Sequence, residues 1–195
     1  MKSFIITMEK FLKMDTEVEE CNFSPEKRKL VIPLYQREFK WIDEKIVGLI
    51  GDISKRDKFL GNIILDEQAD HYEIVDGQQR ITTCFLILLC LYNHYAGSPL
   101  EQDSIRRLLK PYESFLLINE TVGEYVSENG QLFELSISTA DDIYYQKNDF
   151  ERAYNTISVE IARLEEQGAL REFKSKLLDC VLLILRSCIH KGTEQ

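Results

Sequence analysis

Strands gathered in the front half and helices in the back half predict an α+β fold, and three observations support that reading. Phe59-Leu60-Gly61-Asn62-Ile63-Ile64-Leu65 and Tyr72-Glu73-Ile74-Val75 are short β-rich runs joined by a polar connection, the pattern of a hairpin. Directly after them, residues 78–95 are apolar almost all round, with no Pro or Gly, which predicts a buried helix. Beyond residue 97, helical spacing dominates. With 195 residues, 44% hydrophobic and 29% charged, the chain is not a disordered or low-complexity one. A chain of this length buries roughly 70% of its unfolded surface and needs no staples to hold a core.

The elements follow in order. Residues 30–34 form a short apolar run containing Pro33, which suits a strand end or a sheet edge. Residues 43–56 predict an amphipathic helix. Asp43 can cap it, Glu44 suits its first turn, and Ile42, Ile46, Leu49, Ile50 and Ile53 keep helical spacing. Ser98-Pro99-Leu100-Glu101 is a capping box with Pro at the first helical position, and that helix should stop before Pro111. Residues 115–118 and 132–137 are expected strands, with Glu128-Asn129-Gly130 as a turn. Asn148-Asp149 predicts a helix start, Phe150, Tyr154, Ile157, Ile161 and Leu164 share a face, and Gly168 ends the helix. Residues 170–178 are helical, and 181–185 form either a strand or the end of that helix. A seam near Gly97 divides residues 1–97, the α/β front, from residues 98–195, a mainly helical extension of the same domain.

The net charge is −9, with a pI near 5.0. That argues against the whole surface serving as a dock for polyanions, and leaves room for a local basic groove. The five cysteines include no CxxC pair, and Cys84, Cys90, Cys180 and Cys188 lie in apolar runs. Free thiols in a reducing cytoplasm are the expectation. The longest apolar run, residues 84–92, falls short of the ~20 residues of a membrane helix, so no membrane partner is expected. Glu9 and Lys10 interrupt residues 1–13, which therefore do not read as a signal peptide.

Polar chemistry concentrates at Ile74-Val75-Asp76-Gly77-Gln78-Gln79-Arg80-Ile81-Thr82-Thr83. This segment reads as strand, tight turn, then the first turn of the buried helix. The first N–H groups of a helix lack internal partners and, with the dipole, favour an anion. Gly77 permits close backbone approach, and Arg80 adds a planar fork suited to phosphate. Gln78 and Gln79 could hold a water or a ribose, and Asp76 could hold Mg²⁺ or a water. The plainer alternative is a structural β-to-α turn with Asp76 as N-cap and Arg80 in an ion pair. The spacing is neither GxGxxG nor GxxxxGK[ST].

A second block, Ile32-Pro33-Leu34-Tyr35-Gln36-Arg37-Glu38-Phe39-Lys40-Trp41, mixes aromatic, amide and basic side chains that can stack a base and grip a phosphate. Alternatively Tyr35, Phe39 and Trp41 anchor a core and Arg37 pairs with Glu38 or Glu44. His71 and His94 read as a turn residue and a helix-end cation. Lys27-Arg28-Lys29 and Lys55-Arg56 read as solvated faces, and Asp141-Asp142 as a helix start.

Together the blocks Ile32-Pro-x-Tyr-Gln-Arg-x-Phe-x-Trp41, Phe59-Leu-Gly-Asn-Ile-Ile-Leu65 and Asp76-Gly-Gln-Gln-Arg-Ile-Thr-Thr83 resemble the N-terminal, S-type domain of GmrSD-type Type IV restriction enzymes. The resemblance implies a small mixed sheet of the ParB/sulfiredoxin type, followed by the helical extension. It implies an NTP-binding and hydrolysing sensor or regulator of a modification-dependent anti-phage system, with a nucleoside triphosphate and Mg²⁺ as ligands. Asp76, Gln78, Gln79 and Arg80 would be catalytic. Tyr35, Gln36, Arg37, Gly77, Arg80 and Thr82 would bind nucleotide, and Asp76 would hold the metal. The expected partners are the nucleotide, modified DNA, a nuclease domain past Gln195 or on a separate chain, and a second copy of this chain. The only histidines are His71, His94 and His190, in no HNH-like arrangement, so DNA cleavage by this chain alone is not expected. The alternative is a ParB-like DNA-binding module that hydrolyses nothing.

Overall fold

The structure, a computed structural model, describes residues 2–13, 23, 30–31, 36, 39–55, 59–109 and 141–187. It is an α+β fold in which, among the described residues, a five-stranded mixed sheet carries helices. In chain order the elements are β1 (Lys2–Thr7), α1 (Met8–Lys13), β2 (Leu30–Val31), α2 (Asp43–Ser54), β3 (Phe59–Glu67), β4 (Tyr72–Asp76), α3 (Gln78–His94), α4 (Pro99–Leu109), α5 (Asp141–Glu166), α6 (Leu170–Asp179) and β5 (Val181–Ser187). The expected strands at 115–118 and 132–137, the turn at 128–130 and the basic run at 27–29 lie outside the described residues.

The sheet order is β1-β5-β3-β4-β2. β3 and β4 form the antiparallel hairpin that the sequence predicts, and β2 runs parallel to β4 at the edge. β5 is parallel to β3 and antiparallel to β1, so residues 181–187 form a strand rather than a helix end. Its alternation explains the choice. Leu182, Ile184 and Arg186 are buried while Val181, Leu183 and Leu185 are less so, the period of two that a one-face-buried strand requires. Composition hides β1, for which the sequence predicts no strand. Phe4 and Ile6 point into the core, but Ile5 on the outer face is 63% exposed, so the apolar/polar alternation is blurred.

Two irregularities in β3 and β4 shape everything near the α3 start. Between Phe59 and Gly61, β3 advances two residues while β5 advances one. The burial phase shifts with it: Leu60 faces in before the bulge, and Ile63 and Leu65 face in after it. Between Ile74 and Asp76, β4 advances two residues while β3 advances one, which leaves Val75 as the extra residue.

α3 is buried on all sides, from Ile81 through Tyr92, as its apolar sequence predicts. α4 and α5 pack on it. α5 begins at Asp141, the helix start expected at Asp141-Asp142, and runs through Asn148-Asp149, where a separate start was expected. Asp149 does not cap a helix; its carboxylate instead pairs with Lys40 at 3.0 Å, so a tertiary contact overrides the local capping preference. Among the described residues no helix is long and apolar enough to cross a membrane.

Cys84, Cys90 and Cys180 are buried thiols, and burial pushes the Cys84 and Cys90 thiols up to about 12 from the usual 9.0. The folded state therefore holds these protons more tightly than the unfolded chain does. Stability from this source is complete below pH 9.0 and declines from there toward about 12. Each thiol adds a slope of up to about 1.4 kcal/mol per pH unit. Urea unfolding at about pH 8 and about pH 10.5 checks this, since wild type should lose more stability over the interval than the Cys84→Ala/Cys90→Ala variant.

Candidate functional site

The β4–α3 turn opens a cleft of about 160 Å³ lined by Gln36, Trp41, Asp76, Gly77, Gln78, Gln79 and Arg80. Both sequence blocks that concentrate polar chemistry therefore meet at one place. Tyr35 and Arg37 lie outside the described residues.

Gly77 is the N-cap of α3, with φ 92 and ψ 0, and no side chain caps the helix. The plain-turn alternative with Asp76 as N-cap is thus not what forms. A left-handed backbone favours glycine by itself. Space adds a second reason: a Cβ at Gly77 would meet the Ile63 side chain and come within 3.1 Å of the Asn62 carbonyl oxygen. The turn is pressed onto β3 where the Phe59–Gly61 bulge ends.

Arg80 reaches back over that bulge. Its Nη1 donates to the Asn62 carbonyl at 3.3 Å. A Cβ added to Gly61, whose φ is 107, would lie 2.7 Å from Arg80 Nη1 and 2.9 Å from its Cζ. The guanidinium therefore lies in the space left by a missing side chain. Among the described residues no carboxylate comes within ion-pairing distance of Arg80. Gly61 is a part of the site that the sequence analysis passed over. Its signal was present: an isolated glycine inside a strand pattern marks a bulge or a close approach.

The amides divide their roles. Gln79 is 7% exposed, and its Oε1 accepts the Lys40 backbone N–H at 2.7 Å. Gln36 Nε2 donates to the Val75 carbonyl at 2.7 Å, the carbonyl of the extra residue in β4. These two bonds fasten Gln36 to the hairpin and Lys40 to the helix. Gln78, 9% exposed, borders the cleft. Asp76 stands exposed at the end of β4 on the same cleft.

Thr82 does not line the cleft. It is buried one turn along α3 from Gln78, on the same helix face, and its hydroxyl has no hydrogen-bond partner among the described residues. Thr83 Oγ1 donates to the Gln79 carbonyl at 2.8 Å. Phe39 is a core residue, whereas Trp41 is half-buried on the cleft. His71 sits in the β3–β4 turn between Asp70 and Glu73, and His94 lies 3.9 Å from Glu165, both away from the cleft. Among the described residues no group of three or more His, Cys, Asp or Glu gathers as a metal site.

The chain was compared with known proteins. No curated protein matches it. The family model for the GmrSD restriction endonuclease N-terminal domain matches residues 19–188, a span that contains the whole cleft and every element from β2 to β5. The DGQQR turn, the aromatic-amide block and the strands that bring them together all fall inside that match, and the chain belongs to the family of GmrSD restriction endonuclease N-terminal domains.

Proposed function

We propose that the cleft binds the phosphate end of a nucleoside triphosphate and hydrolyses it, as the sensing or regulatory part of a restriction system. The observation that carries this reading is Arg80: a guanidinium held over Gly61, beside a helix start with no side-chain cap, and with no carboxylate partner among the described residues. Positive charge placed this way suits phosphate oxygens. An opening of about 160 Å³ is below the roughly 300 Å³ of the smallest usual ligand pockets, so the described lining fits a phosphate end rather than a whole nucleotide.

The chemistry is attack of water on the γ-phosphorus. The bond from that phosphorus to the β–γ bridging oxygen breaks, giving orthophosphate and the diphosphate, and Asp76 takes the proton of the attacking water. Arg80 and the α3 N–H groups would stabilise the charge that grows on the equatorial and leaving oxygens. Gln78, at the cleft edge, would orient the water. Gln79 and Gln36 would act by holding the wall in place. Thr82, buried without a partner of its own among the described residues, would take a water linked to the ligand. A single carboxylate fits Mg²⁺ only with ligand phosphates sharing its coordination. The ion, held by Asp76, would supply charge neutralisation. Modified DNA would then act as the signal and a nuclease domain or subunit as the effector.

Phosphate release from each NTP with Mg²⁺, with and without DNA, tests this reading. Wild type should turn over at least one NTP. Arg80→Ala should lose binding or turnover by about a hundredfold or more, the scale of a lost charge-stabilising donor, with its melting transition preserved. If the variant instead fails to melt cooperatively, Arg80 is a fold residue.

Gly61→Ala offers a check at a position no ligand needs to touch. The added Cβ would displace the guanidinium and also strain a φ of 107, so affinity should fall about tenfold or more while Arg80 itself remains. Isothermal titration with the same nucleotide measures it. Affinity equal to wild type would mean that the seat of Arg80 is irrelevant to the ligand.

A further inference from the structure

The part of the cleft wall that carries Trp41 is held by a helix more than a hundred residues away in sequence. Phe39 stacks on Phe150, ring centroids 5.2 Å apart and planes 14° apart. Lys40 Nζ pairs with Asp149 at 3.0 Å. Arg152 Nη2 donates to the Trp41 backbone carbonyl at 2.7 Å, and Arg152 Nη1 donates to the Asp43 carboxylate. Asp149 lies 3.4 Å from the same guanidinium.

These contacts are not equivalent. The Lys40 side chain is half exposed, and such pairs hold little. The Phe39–Phe150 stack keeps Phe39 inside but does not set the direction of the next peptide. Arg152 differs because its two donors are fixed in one plane. One grips the Trp41 carbonyl and the other grips the first residue of α2. The guanidinium thus sets the path of the chain from the cleft wall into the helix. A lysine at this position could satisfy one of the two acceptors.

We propose that Arg152 is a positioning residue for the cleft: through the Trp41 carbonyl and Asp43 it holds the Trp41 side chain in the wall shared with Gly77 and Arg80. Arg152 does not itself line the cleft. Its effect on ligand binding rests on the nucleotide reading given above; its effect on Trp41 does not. Removing it loosens one wall without touching the groups that carry the chemistry, so binding suffers and turnover does not.

Trp41 is the single tryptophan of the chain, so its fluorescence reports on this wall alone. Acrylamide quenching of the ligand-free protein is compared among wild type, Arg152→Ala, Arg152→Lys and Asp43→Asn. Ile157→Val, at a buried position on α5, serves as a control. The quenching constant should rise about twofold in Arg152→Ala, to an intermediate value in Arg152→Lys and Asp43→Asn, and not at all in Ile157→Val. With ATP, Arg152→Ala should raise KM about tenfold, as loss of one charge-assisted bond would, with kcat within about twofold of wild type.

Wild-type quenching in a folded Arg152→Ala variant overturns the proposal, as does a fall in kcat with KM unchanged. If Arg152→Ala does not fold, Arg152→Lys and Asp43→Asn decide, and unchanged quenching in both overturns it. If wild type hydrolyses and binds no nucleotide, the nucleotide reading fails, and the quenching series alone supports or overturns the positioning role.

Discussion

The close seating of the β4–α3 turn against β3 is the constraint on which the rest of the site depends. Two positions make it possible by lacking a Cβ. At Gly77 the backbone takes a left-handed turn hard against Ile63 and the Asn62 carbonyl. At Gly61 the strand leaves a gap that the Arg80 guanidinium occupies. If either seat were filled, the start of α3 would lift away from the sheet. The cleft floor, the helix N-terminus and the cation would then no longer share one place. The bulges belong to the same device. The β3 bulge turns Gly61 toward Arg80, and the β4 bulge presents the Val75 carbonyl to Gln36.

An acidic chain with a net charge of −9 can still carry a positive field at the α3 start because that field is local. Among the described residues it comes from the Arg80 guanidinium and from aligned N–H groups at a helix start, both of which act over short range. Among the described residues, two carboxylates around Trp41 are engaged by cations: Asp149 by Lys40 and Arg152, and Asp43 by Arg152. Arg152 therefore also neutralises acidic groups beside the wall, while Asp76 remains at the cleft itself.

Much of this was legible in the sequence, for identifiable reasons. Residues 78–95 announce α3 because a helix buried on every side needs apolar residues on every side. Asp76-Gly77-Gln78-Gln79-Arg80 stands out because polar residues are expensive just before such a helix. The β3–β4 hairpin follows from alternation, and α2 and α4 begin at Asp43 and Pro99 where the sequence places them, but not through the expected caps: Ile42 is the N-cap of α2 while the Asp43 carboxylate accepts from Arg152, and the Ser98 N–H donates to the Tyr95 carbonyl while Glu101 pairs with Lys174. What escaped the reading is non-local. β1 was hidden because Ile5 is apolar on an outer face. Asp141-Asp142 marks the start of α5, whereas the second start expected at Asn148-Asp149 does not form, because Asp149 is used across the fold rather than along the helix. Arg152 left no signature, because nothing in the local pattern of Phe150-Glu151-Arg152 says that its partners are Trp41 and Asp43. Gly61 was visible as a glycine in a strand, but its purpose needed Arg80 in three dimensions. The roles of Gln36 and Gln79 as fasteners were likewise invisible, since an amide that binds a backbone and one that binds a ligand are written with the same letter.

The position of β5 in the sheet has a consequence for how the protein comes into being. This strand is among the last described elements of the chain, yet it lies between β1 and β3 and pairs with both. The pairing Lys2↔Arg186 closes a loop of nearly the full chain length. Contacts of such long sequence separation are slow to form, because the chain entropy must be given up before they contribute. During synthesis the β3–β4 hairpin and α3 emerge well before β5, and the bulge that seats Arg80 lacks its β5 neighbour until residues 181–187 arrive. The cleft is thus assembled late, and a ribosome-bound chain that has made only its motif residues does not yet carry the site they define.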